Sequence, residues 1–340
     1  MKISLLIALT LVIVSCRRVP ASEPPVIQPA ATLIPASPTI QLAPTNTPEP
    51  MPPPSATQVT ATATPAETTS ALETEAAGYA LRFYGTGSGD IDRVKVNIDG
   101  PASQSSSVDV GATDFTLEWW MKANQSENTS AACTTGNDNW ITGNIIFDRD
   151  IWGNGDYGDY GVSLAGGRVA FGVNNGEWGE GICSVSAVAD GRWHHVAVAR
   201  RIDGWMAVFV DGRLEGQANG PQGDISYRDG RPSEFANDPY LVIGAEKHDA
   251  GAEYPSYSGW LDEVRLSTIL RYNNSFVPPV APFEPDDHTA ALWHFDEADG
   301  EVILDSAFGG HNIGVVNVGG PGPGPQWDKS DIGWSKQNGP

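Results

Sequence analysis

The side chains with most chemistry to offer are rings and acids crowded into two Gly- and Asn-rich segments. These are Asp150-Ile151-Trp152-Gly153-Asn154-Gly155-Asp156-Tyr157-Gly158-Asp159-Tyr160 and Asn174-Asn175-Gly176-Glu177-Trp178. An aromatic face packs against the apolar side of a sugar while Asp and Asn accept its hydroxyls, which makes Trp152, Asp156, Tyr157, Tyr160 and Trp178 candidate ligand-binding residues. Some of these rings are expected in the core instead. A histidine pair offers metal or proton chemistry. In Trp193-His194-His195-Val196-Ala197-Val198 the alternation of a strand puts His194 on the face of Val196 and Val198, and His195 opposite with Ala197. His194 therefore reads as a hydrogen-bonded core histidine, and no acid or cysteine stands at ligand spacing from His195. No serine or cysteine nucleophile with a plausible base stands out.

The elements that must carry these groups are short strands separated by turn signals, the pattern of an antiparallel all-β fold. Phe115-Thr116-Leu117-Glu118-Trp119-Trp120-Met121 puts Phe115, Leu117, Trp119 and Met121 on one face, which is expected to be core. Trp205-Met206-Ala207-Val208-Phe209-Val210 ends at Asp211-Gly212, a hairpin turn because both residues tolerate positive φ. Helical periodicity is nearly absent. The strand-like composition begins at about residue 77 and leaves roughly 260 residues, enough for one large β-sandwich with a substantial core.

The chain before that point is of a different kind. Lys2, the apolar run Ile3 to Val14 and the small Ser15 read as an export signal over residues 1–15, too short to span a bilayer, which takes about 20 apolar residues. Ile13-Val14-Ser15-Cys16 resembles the lipobox of bacterial lipoproteins, which implies lipidation of Cys16 and anchoring to the cell membrane or cell surface; an ordinary cleaved signal peptide is the alternative. Either places the mature protein outside the cytoplasm. Residues 16–76 are dominated by Pro, Thr, Ala and Ser and have little to bury, so they are expected to form a disordered, extended stalk.

Charge and cysteine content narrow the partners. The chain has 42 acidic against 20 basic residues, a net charge of −22. Residues 1–76 hold three basic and five acidic groups, so nearly all of that charge falls on the sandwich. Such a surface repels phosphate backbones and excludes nucleic acid as a partner, leaving divalent cations and neutral or cationic polymers. Of the three cysteines, Cys133 and Cys183 remain once Cys16 is lipidated, and in an oxidising compartment they are expected to pair as a disulfide joining two long loops. Two separate buried thiols are the alternative.

Three segments carry a resemblance to a known family. Ala80-Leu81-Arg82-Phe83 with its Gly-rich turn is the first; Asp190-Gly191-Arg192-Trp193-His194-His195-Val196-Ala197-Val198 running into Val210-Asp211-Gly212 is the second; Gly259-Trp260-Leu261-Asp262-Glu263-Val264-Arg265-Leu266 is the third. In order and spacing they resemble the laminin-G-like jelly rolls of the concanavalin-A-like lectin/glucanase superfamily. The resemblance implies a jelly-roll sandwich over residues 77–340. It also covers the tail: Ala291-Leu292-Trp293-His294-Phe295-Asp296-Glu297, Leu304-Asp305-Ser306-Ala307 and His311-Asn312-Ile313-Gly314 look like the segment that usually opens such a domain. Residues 290–318 are then either a permuted strand pair beside the first strand or the stump of a second repeat. Permutation is the expectation, because a stump would leave Trp293, Phe295 and Ile303 without a layer to bury them.

The same resemblance implies a calcium site, since relatives hold this ion by a loop near the first strand together with the Asp of the Asp-Glu-Val strand. The matching positions are Asp262 with Asp90 or Asp92, and Asp305, although relatives commonly carry Asp where this chain has Tyr84; acids that are simply solvated at the surface are the alternative. The superfamily also contains glucanases, whose paired acids follow a Glu-x-Asp-x-Glu spacing that Glu297-Ala298-Asp299-Gly300-Glu301 satisfies. Asp299-Gly300 is a turn pair that would interrupt the strand such a site needs. The expected function is therefore a surface-displayed, non-catalytic binding or adhesion module for a glycan or polysaccharide. A glycoside hydrolase using Glu297 and Glu301, and a module for a surface protein, are the alternatives.

Overall fold

A computed structural model describes residues 78–89, 92–99, 106–151, 158–227, 235–318 and 322–334. Among them the chain forms sixteen strands and one 3-10 turn at Gln125–Glu127, with no α-helix. In chain order the strands are β1 (Tyr79–Tyr84), β2 (Arg93–Asn97), β3 (Phe115–Asn124), β4 (Asn144–Arg149), β5 (Asp159–Ala165), β6 (Arg168–Asn174), β7 (Gly179–Ala187) and β8 (Asp190–Arg200). They continue as β9 (Trp205–Val210), β10 (Arg213–Asn219), β11 (Tyr240–Ile243), β12 (Ser258–Ser267), β13 (Thr289–Trp293), β14 (Val302–Ile303), β15 (Gly314–Asn317) and β16 (Gln326–Lys329).

Two antiparallel sheets pack as a sandwich. The front sheet runs β10-β9-β8-β3-β12-β1-β16, with β13 also on β12; the back sheet runs β14-β15-β2-β11-β4-β5-β6-β7. Alternation decides what lies between them. Phe115, Leu117, Trp119 and Met121 of β3 are fully buried, and Trp119 meets Phe147 of β4 edge-on at 4.9 Å between ring centroids. Each such side chain contributes about 1.5–3 kcal/mol by leaving water. The Asp211-Gly212 turn joins β9 to β10 with φ of 48° and 73°, the left-handed pair that a tight hairpin requires.

The tail divides between the sheets. β12 is broken by a bulge after Asp262, where Glu263 has φ 51°, so that β1 pairs with its first half and β13 with its second. β15 extends the back sheet beside β2, β14 follows it at the edge, and β16 flanks β1. Trp293, Phe295 and Ile303 all enter the shared core.

Both outer faces carry a cover. On the back sheet Gly161, Gly172 and Gly181 stand in one cross-strand row, and a Cβ on any of them would come within 2.4 Å of Trp140 or Asn139. The row is thus a trench that seats the Trp140 indole. The loop bearing Trp140 is tied down by the Cys133–Cys183 disulfide. Cys183 lies within β7, so the bridge fastens a loop to a strand rather than to a second loop. On the front sheet, Tyr272, Phe276 and Phe283 pack over His195 at 5.6–6.5 Å between ring centroids.

Candidate ligand-binding rim

Strand register brings one set of back-sheet ends into line. Asn97 pairs with Tyr240, Arg149 with Tyr160, Asp159 with Asn174, and Asn174 with Gly179. Asp150 therefore lies just past the end of β4, beside the start of β5, and Trp178 lies in the β6–β7 turn on the same rim. That turn is held by Asn175 Oδ1, which accepts from the backbone N–H groups of Glu177 and Trp178, and the Trp178 side chain is 48% exposed. A bare indole on a fixed turn suits a stacking contact.

About two strands along the same rim lies a cluster of metal-compatible groups. Asp150, Glu246 and His248 each place one ligand atom within 4.8 Å of the others. The loop after β11 delivers the last two. It turns at Gly244, where φ is 94° and a Cβ would strike the Phe83 ring, then folds back so that the backbone N–H of Lys247 donates to Asp148 Oδ2 at 2.9 Å. Asp148 Oδ1 accepts from the Asp150 N–H at 2.7 Å, fixing the other side of the cluster. Glu246 Oε2 accepts from His248 N at 2.8 Å and from Asp249 N.

The electrostatics of this cluster are unbalanced. Burial, then the charge of Glu246, pushes Asp148 up to about 6; burial, then Asp148, pushes Asp150 up to about 7; burial and Asp150 raise Asp159 well above the usual carboxylate range. Burial also raises Glu246. Lys247 lies among them, its Nζ donating to the carbonyls of Asp238 and Tyr240 at 3.1 and 3.2 Å. Burial, then Lys247, lowers His248 to about 4, so its imidazole is neutral at physiological pH and adds no positive charge. Its Nε2 is buried without a hydrogen bond, 4.0 Å from Asp150 Oδ2 and 3.4 Å from Asp238 Oδ1. Among the described residues, clustered carboxylates beside an imidazole nitrogen with no hydrogen bond are a donor set compatible with a divalent cation. The residues present fit such an ion.

Several residues singled out by sequence lie elsewhere. Trp152, Asp156, Tyr157, Asp90 and Cys16 fall outside the described residues. Tyr160 has to be corrected: it is fully buried against Phe115 at 5.0 Å and beneath the Arg149 guanidinium, because it shares the inward face of β5 with Val162 and Leu164. The expected calcium set is not brought together among the described residues. Asp262 sits at the front sheet with its Oδ2 accepting from Ser330 Oγ at 2.7 Å. Asp305 is occupied as a turn-former, accepting from the N–H groups of Leu292, Ala307 and Asn312. Asp92 precedes β2, its carboxylate buried without a hydrogen bond.

The other candidates resolve as structure. Glu297 Oε1 accepts from the Leu304 N–H at 2.8 Å, and Glu297 to Glu301 lie in the bend between β13 and β14 rather than along a strand, with φ of 65° at Ala298 and 83° at Gly300. The histidine pair keeps the predicted faces but reverses the expected burial. His194 bridges Asp211 at 2.8 Å and Asp190 at 3.1 Å near the surface, while His195 is fully buried and bonded to Glu118 at 3.2 Å. The outer face is not open to water there because of the Tyr272–Phe283 cover.

Sequence reasoning missed Glu246 and His248. Their available signal was an acid and an imidazole flanking a lysine, directly after the strand-ending Ile243-Gly244.

No curated protein sequence matches the chain. Among solved structures it is similar to a Bacteroides ovatus protein described as a candidate carbohydrate-binding protein, with 17% identity and a TM-score of 0.42 over 75% of this chain, and spans 61% of that protein's length. It is also similar to a heptameric SAP-like pentraxin from Limulus polyphemus, with 16% identity and a TM-score of 0.39 over 71% of this chain and 96% of the other. Mouse laminin α1 domains LG4-5 give 15% identity and a TM-score of 0.37 over 57% of this chain and 42% of the other. Residues 97–271, just over half of the sequence, match the Laminin_G_3 family, and the chain belongs to the concanavalin A-like lectin/glucanases superfamily.

Proposed function

We propose that this chain is a non-catalytic binding module, displayed outside the cytoplasm on a lipid anchor at Cys16 and a Pro/Thr-rich stalk, that takes a glycan or polysaccharide at the back-sheet rim. The observation that carries the reading is that one sheet rim bears both the exposed Trp178 and the cluster of Asp150, Glu246 and His248. These three residues would hold a divalent cation, calcium first among them, with the imidazole widening the choice to manganese or zinc. Bound there, the ion would offer coordination to sugar hydroxyls while Trp178 covers an apolar sugar face. The net charge of −22 keeps nucleic acid outside the reading.

The test is retention of the full chain on a polysaccharide and glycan array, with calcium and again with chelator. Calcium-dependent retention that falls at least tenfold in Trp178→Ala is the expected result. No retention in either condition overturns glycan binding and moves surface-protein partners to the front.

A further inference from the structure

A second feature of the same rim has no part in the cation cluster. Where β2 ends and β15 begins, a cavity of about 460 Å³ opens between Asn97, Asp99 and Ser106–Ser107 on one side and the turn at residues 307–312 on the other. Its size lies within the usual range of small-ligand sites, about 300–1,000 Å³. The wall at Asn312 is held by hydrogen bonds within the protein. Asn312 Nδ2 donates to Ser107 Oγ at 2.8 Å, to the Ala290 carbonyl at 3.2 Å and to Asp305 Oδ2 at 2.8 Å, and the Asn312 carbonyl accepts from Trp293 Nε1 at 2.7 Å.

The groups around the opening are of a different character. Phe308 is 67% exposed, a large loss of hydrophobic burial for a ring held on a short turn. His311 and Asn97 are exposed beside it, and Asn97 spends its Oδ1 on the Asp99 N–H at 2.9 Å, which leaves its amide N–H₂ to donate outward. One bare ring face with a carboxamide and an imidazole around it matches a pyranose, which is apolar on one face and hydroxylated at its edge. The strongly acidic domain disfavours an anionic sugar.

We infer that this cavity is a second saccharide subsite, selective for a neutral pyranose, and that it extends the glycan-binding rim on whose proposed function the inference rests. Asn97 of β2 and Asp150 after β4 are separated by two strand spacings, about 10 Å, so one extended polymer could engage both sites.

The experiment follows backbone amide resonances of Asn97, His311 and Asn312 in the full chain, in chelator, during titration with glucose, galactose, mannose, N-acetylglucosamine and glucuronate. At least one neutral sugar should shift these amides saturably, glucuronate should not, and Phe308→Ala, which removes an exposed ring, should raise the half-saturating concentration at least tenfold. Absence of shifts with every neutral sugar overturns the subsite, as do equal shifts in Phe308→Ala. Array retention without these shifts would sink the subsite alone, whereas shifts without array retention would overturn polysaccharide binding at the Trp178 and cation-cluster rim and leave only an isolated monosaccharide site.

Discussion

Two buried ionic regions of this sandwich have opposite balance. Under the cover of the front sheet, Glu118 is fully buried, yet both its oxygens are engaged: Oε1 with Arg265 Nε at 2.9 Å, Oε2 with Tyr272 Oη at 2.8 Å and His195 Nε2 at 3.2 Å. Burial pushes Glu118 up, but His195, Arg265 and Tyr272 outweigh it and hold the group below the usual carboxylate range. On the back-sheet rim, Lys247 opposes the shifts of Asp148 and Asp150 and Arg149 that of Asp159, yet burial leaves all three, and Glu246, pushed up. A buried acid paired with cations is a structural fixture; buried acids held mainly by backbone N–H groups and by one another are pushed up, and on the proposed function a divalent cation would relieve that cost.

The comparison predicts different responses to mutation. Glu118→Ala should have the largest effect, a loss of about 3–5 kcal/mol, because it strands the Arg265 guanidinium in the interior. Denaturant unfolding should give the same loss with calcium and with chelator. A loss that calcium repairs would erase the distinction between the two regions.

A smaller effect sharpens it. Asp262 is buried, and that burial pushes it up to about 8, with Ser330 opposing. In the unfolded chain a carboxylate of this type titrates near 3.9. The protonated form therefore favours folding, fully at pH below about 4, and this contribution is lost as pH rises through about 8. Asp148 and Asp150 act with the same sign through about 6 and 7. Asp262→Asn should match the parent only at about pH 4 and below, and exceed it increasingly in stability from there up to about pH 8, on the order of a few kcal/mol at most. Calcium should stabilise parent and variant equally, since Asp262 lies at the front sheet; a gain confined to the parent would join Asp262 to the ion site.

How far the sequence foretold these regions depends on which physical signal each one leaves. The core face of β3 was legible because period-two burial is written directly in Phe115, Leu117, Trp119 and Met121, and the Asp211-Gly212 turn because few residues accept its dihedrals. The same alternation through Tyr160, Val162 and Leu164 would have placed Tyr160 in the core; its aromatic-loop neighbourhood drew attention away from that signal. His195 was misjudged because its cover, residues 269–288, is an irregular segment without periodicity. The cation cluster was illegible for a deeper reason. Asp150 and the pair Glu246 and His248 meet through the β11–β4 register and a fold-back loop, and neither is written in local residue pattern.

The most direct test of the account is a calorimetric titration of the full chain with calcium, and with manganese in parallel, against Glu246→Gln. The account predicts saturable one-site binding that weakens as pH falls below about 7, is absent from Glu246→Gln, and at 100 times its Kd stabilises the parent by about 2.7 kcal/mol. No heat of binding from either ion, or equal binding by Glu246→Gln, would contradict it and leave the rim acids as an unexplained cost of the fold.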